Sequence, residues 1–191
     1  MKKLMVTLCC LAIFTQLQGC AGGLIVIAGT AVAVSSDERT MSEQFDDSLL
    51  SVNALDKINE LGLDDENTRI NLISNSGYLL VLGQVADQLH KTLIDKKLHT
   101  LTEVKGIYNQ LRISKPIGFF QQSQDSWITT KVKSQLTAHD TVNPLKIKVV
   151  TENAEVFLIG KINEKMAKDA TNITRKVKGV KQVNRVFQLI N

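Results

Sequence analysis

The 191-residue sequence predicts an α+β protein. Its architecture is two tandem αββαβ units, each a three-stranded mixed sheet with two helices on one face. Three observations carry this. The chain repeats itself: "TRINLISNSGYLLVLGQVADQ" from Thr68 matches "LKIKVVTENAEVFLIGKINEK" from Leu145, with Ile70 over Ile147, Leu72 over Val149 and Gly83 over Gly160. The match extends upstream, "DDSLLSVNALDKI" over "QDSWITTKVKSQL", and downstream, "EVKGIYNQLRI" over "GVKQVNRVFQLI". A repeat of this length fixes the architecture before any single element is assigned, and two copies make a tandem pair rather than a solenoid. Within each copy, apolar residues recur first at helical and then at strand spacing, and the pattern repeats. Hydrophobic content is 43% with only two prolines, enough to build a core in each copy.

The elements follow in order. The chain opens with Lys2 and Lys3, an uncharged apolar stretch from Leu4 to Leu17, and then Leu17-Gln18-Gly19-Cys20. A basic start, an apolar run and a small residue before the cut describe a secretory signal peptide. Leu17 to Cys20 resembles the lipobox of bacterial lipoproteins: Leu stands third before the cysteine and a small residue directly before it, while Gln18 departs from the usual small or hydroxylated residue. The resemblance implies that residues 1–19 are removed and that Cys20 becomes the lipid attachment site at the head of an acylated segment, 20–45. Several fatty chains hold a protein on a membrane where one gives only marginal residence. Cys9 and Cys10 leave with the leader, so no thiol remains for a disulfide. Ala21, where Asp would signal retention, implies forwarding to the outer membrane. The alternative is an uncleaved signal anchor, since nothing between Leu4 and Val34 is charged and the run is long enough to span a bilayer. "LIVIAGTAVAV", 24–34, is expected along the membrane surface or against the domains.

The first copy spans 46–113 and the second 125–191. Leu50, Ala54 and Ile58 mark the first helix of copy one; Ile128, Val132 and Leu136 mark that of copy two. An alternating strand follows, then a turn, "SNSG" or "TENA", in which Gly77 or Asn153 tolerates positive φ. The second strand runs from Tyr78 to Leu82, or from Glu155 to Ile159. The second helix carries Leu89, Leu93, Leu98 and Leu101 in copy one. In copy two it carries Met166, Ala170, Ile173 and Val177, with Asn163 as its cap. A last strand holds Val104, Ile107 and Leu111, or Val180, Val183, Val186 and Phe187. Residues 114–124, "SKPIGFFQQSQ", form the linker, punctuated by Pro116 and Gly118. It is too short for free tumbling, so the domains are expected to touch, with Phe119 and Phe120 in that contact or beside Trp127.

No residue set points to catalysis, and none to a metal or cofactor. His90, His99 and His139 lack metal-ligand spacing and read as solvated. Gly83 and Gly160 each stand alone, whereas a phosphate loop needs several glycines in a fixed frame; close backbone packing explains them better. Asp46-Asp47 and Asp64-Asp65-Glu66 lack the spacing of a calcium loop and read as helix caps and turn residues.

Charge separates the copies. Residues 46–113 carry ten acidic and seven basic side chains; residues 125–189 carry six and twelve. A basic surface beside an anionic membrane gains about 1 kcal/mol per Lys or Arg. Lys165, Lys168, Lys176 and Lys178 read as an ordinary solvated helix face rather than as a membrane patch. The helix from Trp127 stands apart: Trp127, Lys131 and Ser134 share one flank, with Ile128 and Val132 on the neighbouring one. Tryptophan favours the headgroup level of a membrane, and lysine extends its charge to phosphate while its stem lies on apolar surface. A core tryptophan closing the sheet–helix interface is the other reading.

The order αββαβ, the strand ends Leu80 to Gly83 and Leu158 to Gly160, and the entries "VKGI" from Val104 and "GVKQV" from Gly179 resemble the BON domain. Two such domains behind a lipobox are similar to the dual-BON lipoproteins of the Gram-negative outer membrane, facing the periplasm. The resemblance implies binding of an anionic phospholipid membrane, a role in envelope integrity at division sites, and no enzyme activity. The expected lipid-binding residues are Trp127, Ile128, Thr130, Lys131, Val132, Lys133 and Ser134. A competing expectation is an adaptor whose basic second domain docks an acidic envelope protein. Nucleic acid is excluded by export and by the lack of an RNA-binding aromatic signature, and no small-molecule substrate is expected.

Overall fold

The structure, a computed structural model, describes residues 25–27, 30–32, 41–64 and 66–190. The leader, the lipobox with Cys20 and Asp65 lie outside the described residues. Within the 24–34 segment, β1 (Ile25–Ile27) pairs antiparallel with β2 (Thr30–Val32). Among the described residues no helix is long and apolar enough to cross a membrane.

Copy one contains α1 (Met41–Asn59), β3 (Arg69–Asn75), β4 (Tyr78–Val85), α2 (Gln88–Leu98), β5 (Gly106–Asn109) and β6 (Arg112–Ile113). Copy two contains α3 (Phe119–Thr137), β7 (Lys148–Glu152), β8 (Glu155–Asn163), α4 (Glu164–Arg175) and β9 (Gln182–Ile190). Each is αββαβ. The central strand pairs antiparallel with the strand before it and parallel with the last, which makes both sheets mixed. In copy one the last strand breaks into β5 and β6, both parallel to β4; Asn109 Oδ1 accepts from Leu111 N across the break and Leu111 drops into the core.

The helix starts differ from expectation. α1 and α3 are both 19 residues long and begin upstream of the first core-facing residue. The segment 119–124, read as linker, is therefore helical, and only 114–118 connects the copies. Phe119 and Phe120 are 86% and 75% exposed, so they do not fill the domain contact. In α2 the expected stripe is displaced. Leu89 and Leu93 are exposed and Ile94 is buried in their place, while Leu98 is buried as expected. Leu98 ends the helix, so Leu101 packs from the following turn. In α4, Asn163 caps as expected, accepting from Met166 N at 2.9 Å.

Each central strand is apolar on both faces. Leu79, Val81 and Val85 point to α1 and α2; Val156, Leu158 and Ile162 point to α3 and α4. The alternate residues form a third cluster in which Ile73, Leu80 and Leu82 of copy one meet Phe157 and Ile159 of copy two. The two sheets therefore pack back to back, with a helix layer outside each. Polar bonds rim this interface. Arg69 Nη1 and Gln84 Nε2 donate to Glu152 Oε1, and Arg112 Nη2 lies 2.7 Å from Glu155 Oε2. The connector is pinned by Ile117 N donating to Gln84 Oε1 at 3.1 Å. Gly83 (φ +121°) and Gly160 run against neighbouring backbone, where an added Cβ would collide with the Arg69 or the Lys146 carbonyl. That is the close packing expected of them.

Candidate functional site

α3 builds the site by dividing its faces. Asp125, Ile128, Val132 and Leu136 are buried. At 100° per residue, Phe120, Trp127 and Ser134 line up on the opposite side, with Lys131 about 40° away. Trp127 is 65% exposed, which excludes the core reading of its ring. Lys131 Nζ lies 5.9 Å from the Trp127 ring centroid, within cation–π range, and donates to the Lys178 carbonyl at 2.7 Å.

That last bond draws the loop before β9 onto the helix. Gly179 (φ +103°) allows the turn, and a Cβ there would press on Ile128 at 3.3 Å. The consequence is a groove of about 320 Å³ between α3 and α4, lined by Lys131, Ser134, Gln135, Ile173, Lys176 and Lys178. Lys176 and Lys178 thus join the tryptophan flank. Lys165 and Lys168 instead sit 3.8 Å from Asp169 and Glu164 on the exposed side of α4, as an ordinary solvated face. Sequence spacing did not reveal the loop lysines, because the bond that recruits them is to a backbone carbonyl. The turn glycine at the strand entry, Gly179, was the only sign of it.

Of the seven residues expected to meet lipid, the structure brings together exposed Trp127, Thr130 and Ser134 with half-buried Lys131 on one surface of α3. Lys133 is exposed but about 120° round the helix from Trp127. Ile128 and Val132 are corrected: at 5% and 0% exposure they are core residues packed beneath the helix, because the apolar stripe of α3 covers its own sheet.

Asp46 and Asp47 are also corrected as helix caps, since α1 begins upstream of them; Asp125 is the counterpart of Asp47 in α3. Asp47 and Asp125 are buried within a helix and hold the hairpin turn. Asp47 accepts from Ser76 N and Gly77 N, and Asp125 from Asn153 N and Ala154 N. The described part of the other acidic run behaves as expected: Asp64 accepts from Glu66 N and Asn67 Nδ2, and those bonds lower its pKa. Two of the three histidines pair locally. His90 Nδ1 lies 2.7 Å from Asp87 Oδ1, whose carboxyl is lowered chiefly by the His90 backbone N–H, and His99 Nδ1 lies 2.8 Å from the Asp95 carbonyl. Among the described residues no three His, Cys, Asp or Glu side chains are placed to hold a metal.

In copy one, Leu49 stands at the place of Trp127 and Asn53 at that of Lys131. Asn53 Nδ2 donates to Glu103 Oε1 at 2.7 Å, so an amide–carboxylate pair replaces the lysine.

The BON domain model matches residues 46–115 and 124–191. The chain is 35% identical over 175 residues to the Outer membrane lipoprotein DolP of Haemophilus influenzae, covering 92% of this chain and 91% of that protein. It is 38% identical over 156 residues to a protein of Actinobacillus pleuropneumoniae named 21 kDa hemolysin, covering 81% and 78%. A solved domain of CdsD, a structural protein of the Chlamydia trachomatis type III secretion system, aligns over 73% of this chain and 98% of its own. Its identity is 14% and its TM-score 0.31, too low to carry an argument. On its two matched domains and its near full-length relative, the chain belongs to the BON-domain family, as a dual-domain outer-membrane lipoprotein.

Proposed function

We propose that this protein binds anionic phospholipid through the exposed flank of α3, in support of envelope integrity and at division sites. Cys20 anchors it in the outer membrane, facing the periplasm. One observation carries the reading: the chain's only tryptophan is 65% exposed with a lysine over its ring, beside a groove lined by two further lysines. An exposed indole is unfavourable in water and suits the headgroup level, where its ring meets both phases. Lys131, Lys176 and Lys178 would reach lipid phosphates from the same flank, and Ser134 would add a hydroxyl donor, while the Thr130 hydroxyl donates to the Ser126 carbonyl at 3.0 Å. The name of one relative gives an outer-membrane location, and neither name gives a substrate.

The test pairs binding with stability. Trp127→Glu removes the ring and adds a charge that anionic lipid repels, so binding to phosphatidylglycerol vesicles is expected to fall at least tenfold. The fold is expected to survive within about 0.5 kcal/mol, as usual for an exposed position. A variant that melts early, or one that binds undiminished, overturns the assignment. Binding is also expected to weaken as salt rises, because exposed charges are screened beyond about 8 Å at physiological ionic strength. For the anchor, Cys20→Ala is expected to lose metabolic labelling by a fatty-acid analogue; label retained in that variant refutes it.

A further inference from the structure

The counterpart of the Trp127 flank in copy one is an apolar surface of opposite charge. Phe45, Leu49 and Val52 are 63%, 46% and 55% exposed and line up on α1, about 180° from the core stripe of Leu50, Ala54 and Ile58. Beside them lies a groove of about 420 Å³ whose lining includes Glu43, Asp46, Leu49, Asn53 and Glu103, against a single basic residue, Lys105, whose ammonium donates to the Ser76 carbonyl at 3.0 Å. The Glu103 carboxyl is held below its usual pKa, first by the Asn53 amide, so it is firmly anionic at neutral pH. One molecule thus carries an acidic apolar groove on α1 and a basic aromatic flank on α3.

We propose that the α1 groove of one molecule receives the α3 flank of a second copy, giving head-to-tail association. Trp127 and Phe120 of one copy would cover Leu49 and Val52 of the next, and Lys131 and Lys178 would face Asp46 and Glu103. The pairing cannot form within one molecule, because α1 and α3 lie in the two outer layers of the back-to-back sheets, on opposite sides. Symmetric pairing is disfavoured. Two α1 grooves would set carboxylates against carboxylates, and two α3 flanks lysines against lysines, whereas the crossed pairing is complementary. A heterologous contact of this kind leaves a free groove at one end and a free flank at the other, so it builds chains unless the rotation closes a ring. One helix face in one groove is a small interface, so the association is weak and salt-sensitive.

The test uses the full chain in a nonionic detergent without lipid, followed by sedimentation velocity. Its result is therefore independent of phospholipid binding. The wild type is expected to show a mass that grows with concentration at low salt and reverts to monomer at high salt. Asp46→Lys with Glu103→Lys in one variant, and Lys131→Glu with Lys178→Glu in another, are each expected to weaken association at least tenfold. Mixing the two is expected to restore it, which misfolded protein cannot do. Leu49→Gln with Val52→Gln, at exposed positions, is expected to weaken it as strongly with melting unchanged. A monomer at all concentrations overturns the proposal. So does association that ignores both charge swaps, or a mixture that fails to recover while Leu49→Gln with Val52→Gln associates normally. The α1 variants are expected to bind anionic vesicles as the wild type does, which separates failure here from failure of the lipid reading.

Discussion

Asp47 and Asp125 occupy the same place in the two copies and make the same bonds, each accepting two backbone N–H groups from the turn between the first two strands. The turn needs this. Ser76 and Gly77 in copy one, and Asn153 and Ala154 in copy two, all have positive φ, a conformation that costs a non-glycine residue about 1–2 kcal/mol. Each carboxylate satisfies the donors that such a turn leaves pointing inward. Asp125→Ala is therefore expected to destabilise the protein by about 2–4 kcal/mol, since leaving a buried donor unsatisfied costs about 1–3 kcal/mol. Urea unfolding measures this; a loss below about 0.5 kcal/mol would mean that water replaces the carboxylate. The sequence displayed the residue, as "DDS" over "QDS", but not its role. An aspartate near the start of a helical pattern reads as a cap, and only the position of the turn in space shows that it faces inward. Trp127 was legible to the same extent: its type and its lysine neighbour were visible, but its exposure was a matter of which way one helix turned.

At the scale of elements, the order αββαβ was legible because it rests on apolar period, and period survives errors of a residue or two. The helix starts were not. The first turns of α1 and α3 contain no core-facing residue, so "MSEQF" and "FFQQSQ" give no period to read. In α2, Leu89 and Leu93 have helical spacing but point to solvent, because Leu98 and Ile94, the latter about 100° round the helix from Leu93, face the sheet. What joins α1 to α2 at the surface was also hidden, since it comes from a turn. Glu60 lies 2.8 Å from Lys57 and 2.6 Å from Lys97, and these partners, Lys57 first, lower its carboxyl pKa to about 2. A lowered folded pKa gives stability that is complete above the ordinary value of 4.5 and is lost as pH falls through about 2. Glu60 is exposed, so the effect is small and screened by salt. Glu60→Gln is expected to be less stable than wild type at neutral pH. The gap should shrink below pH 4.5 and close near pH 2. Urea midpoints followed against pH check this; curves that stay parallel through that window refute it.

Across the whole molecule, the copies are held by a face that the sequence did hint at. "YLLVL" and "EVFLI" are nearly continuous apolar runs, and such runs mark strands buried on both sides. Two helices cover only one side. The other must be covered by something of equal apolarity, and in this chain the second copy supplies it, where the linker phenylalanines had been expected. Each sheet therefore leans on the other through Leu80, Leu82, Phe157 and Ile159, and an isolated copy would expose that face to water. It follows that the copies unfold together. Phe157 is 2% exposed at the centre of the shared cluster, and Phe157→Ala is expected to cost about 3–5 kcal/mol through lost burial and the cavity left behind. The loss falls on the interface, so it should also loosen the coupling. The chain reports this by itself: its only tryptophan lies in copy two and both tyrosines, Tyr78 and Tyr108, lie in copy one. In urea, tryptophan and tyrosine signals of the wild type are expected to change at one midpoint, and those of Phe157→Ala at two. Coincident midpoints in the variant would assign the coupling to the Arg69–Glu152 and Arg112–Glu155 bonds at the rim. Separate midpoints already in the wild type would show that the apolar face does not bind the copies into one cooperative unit.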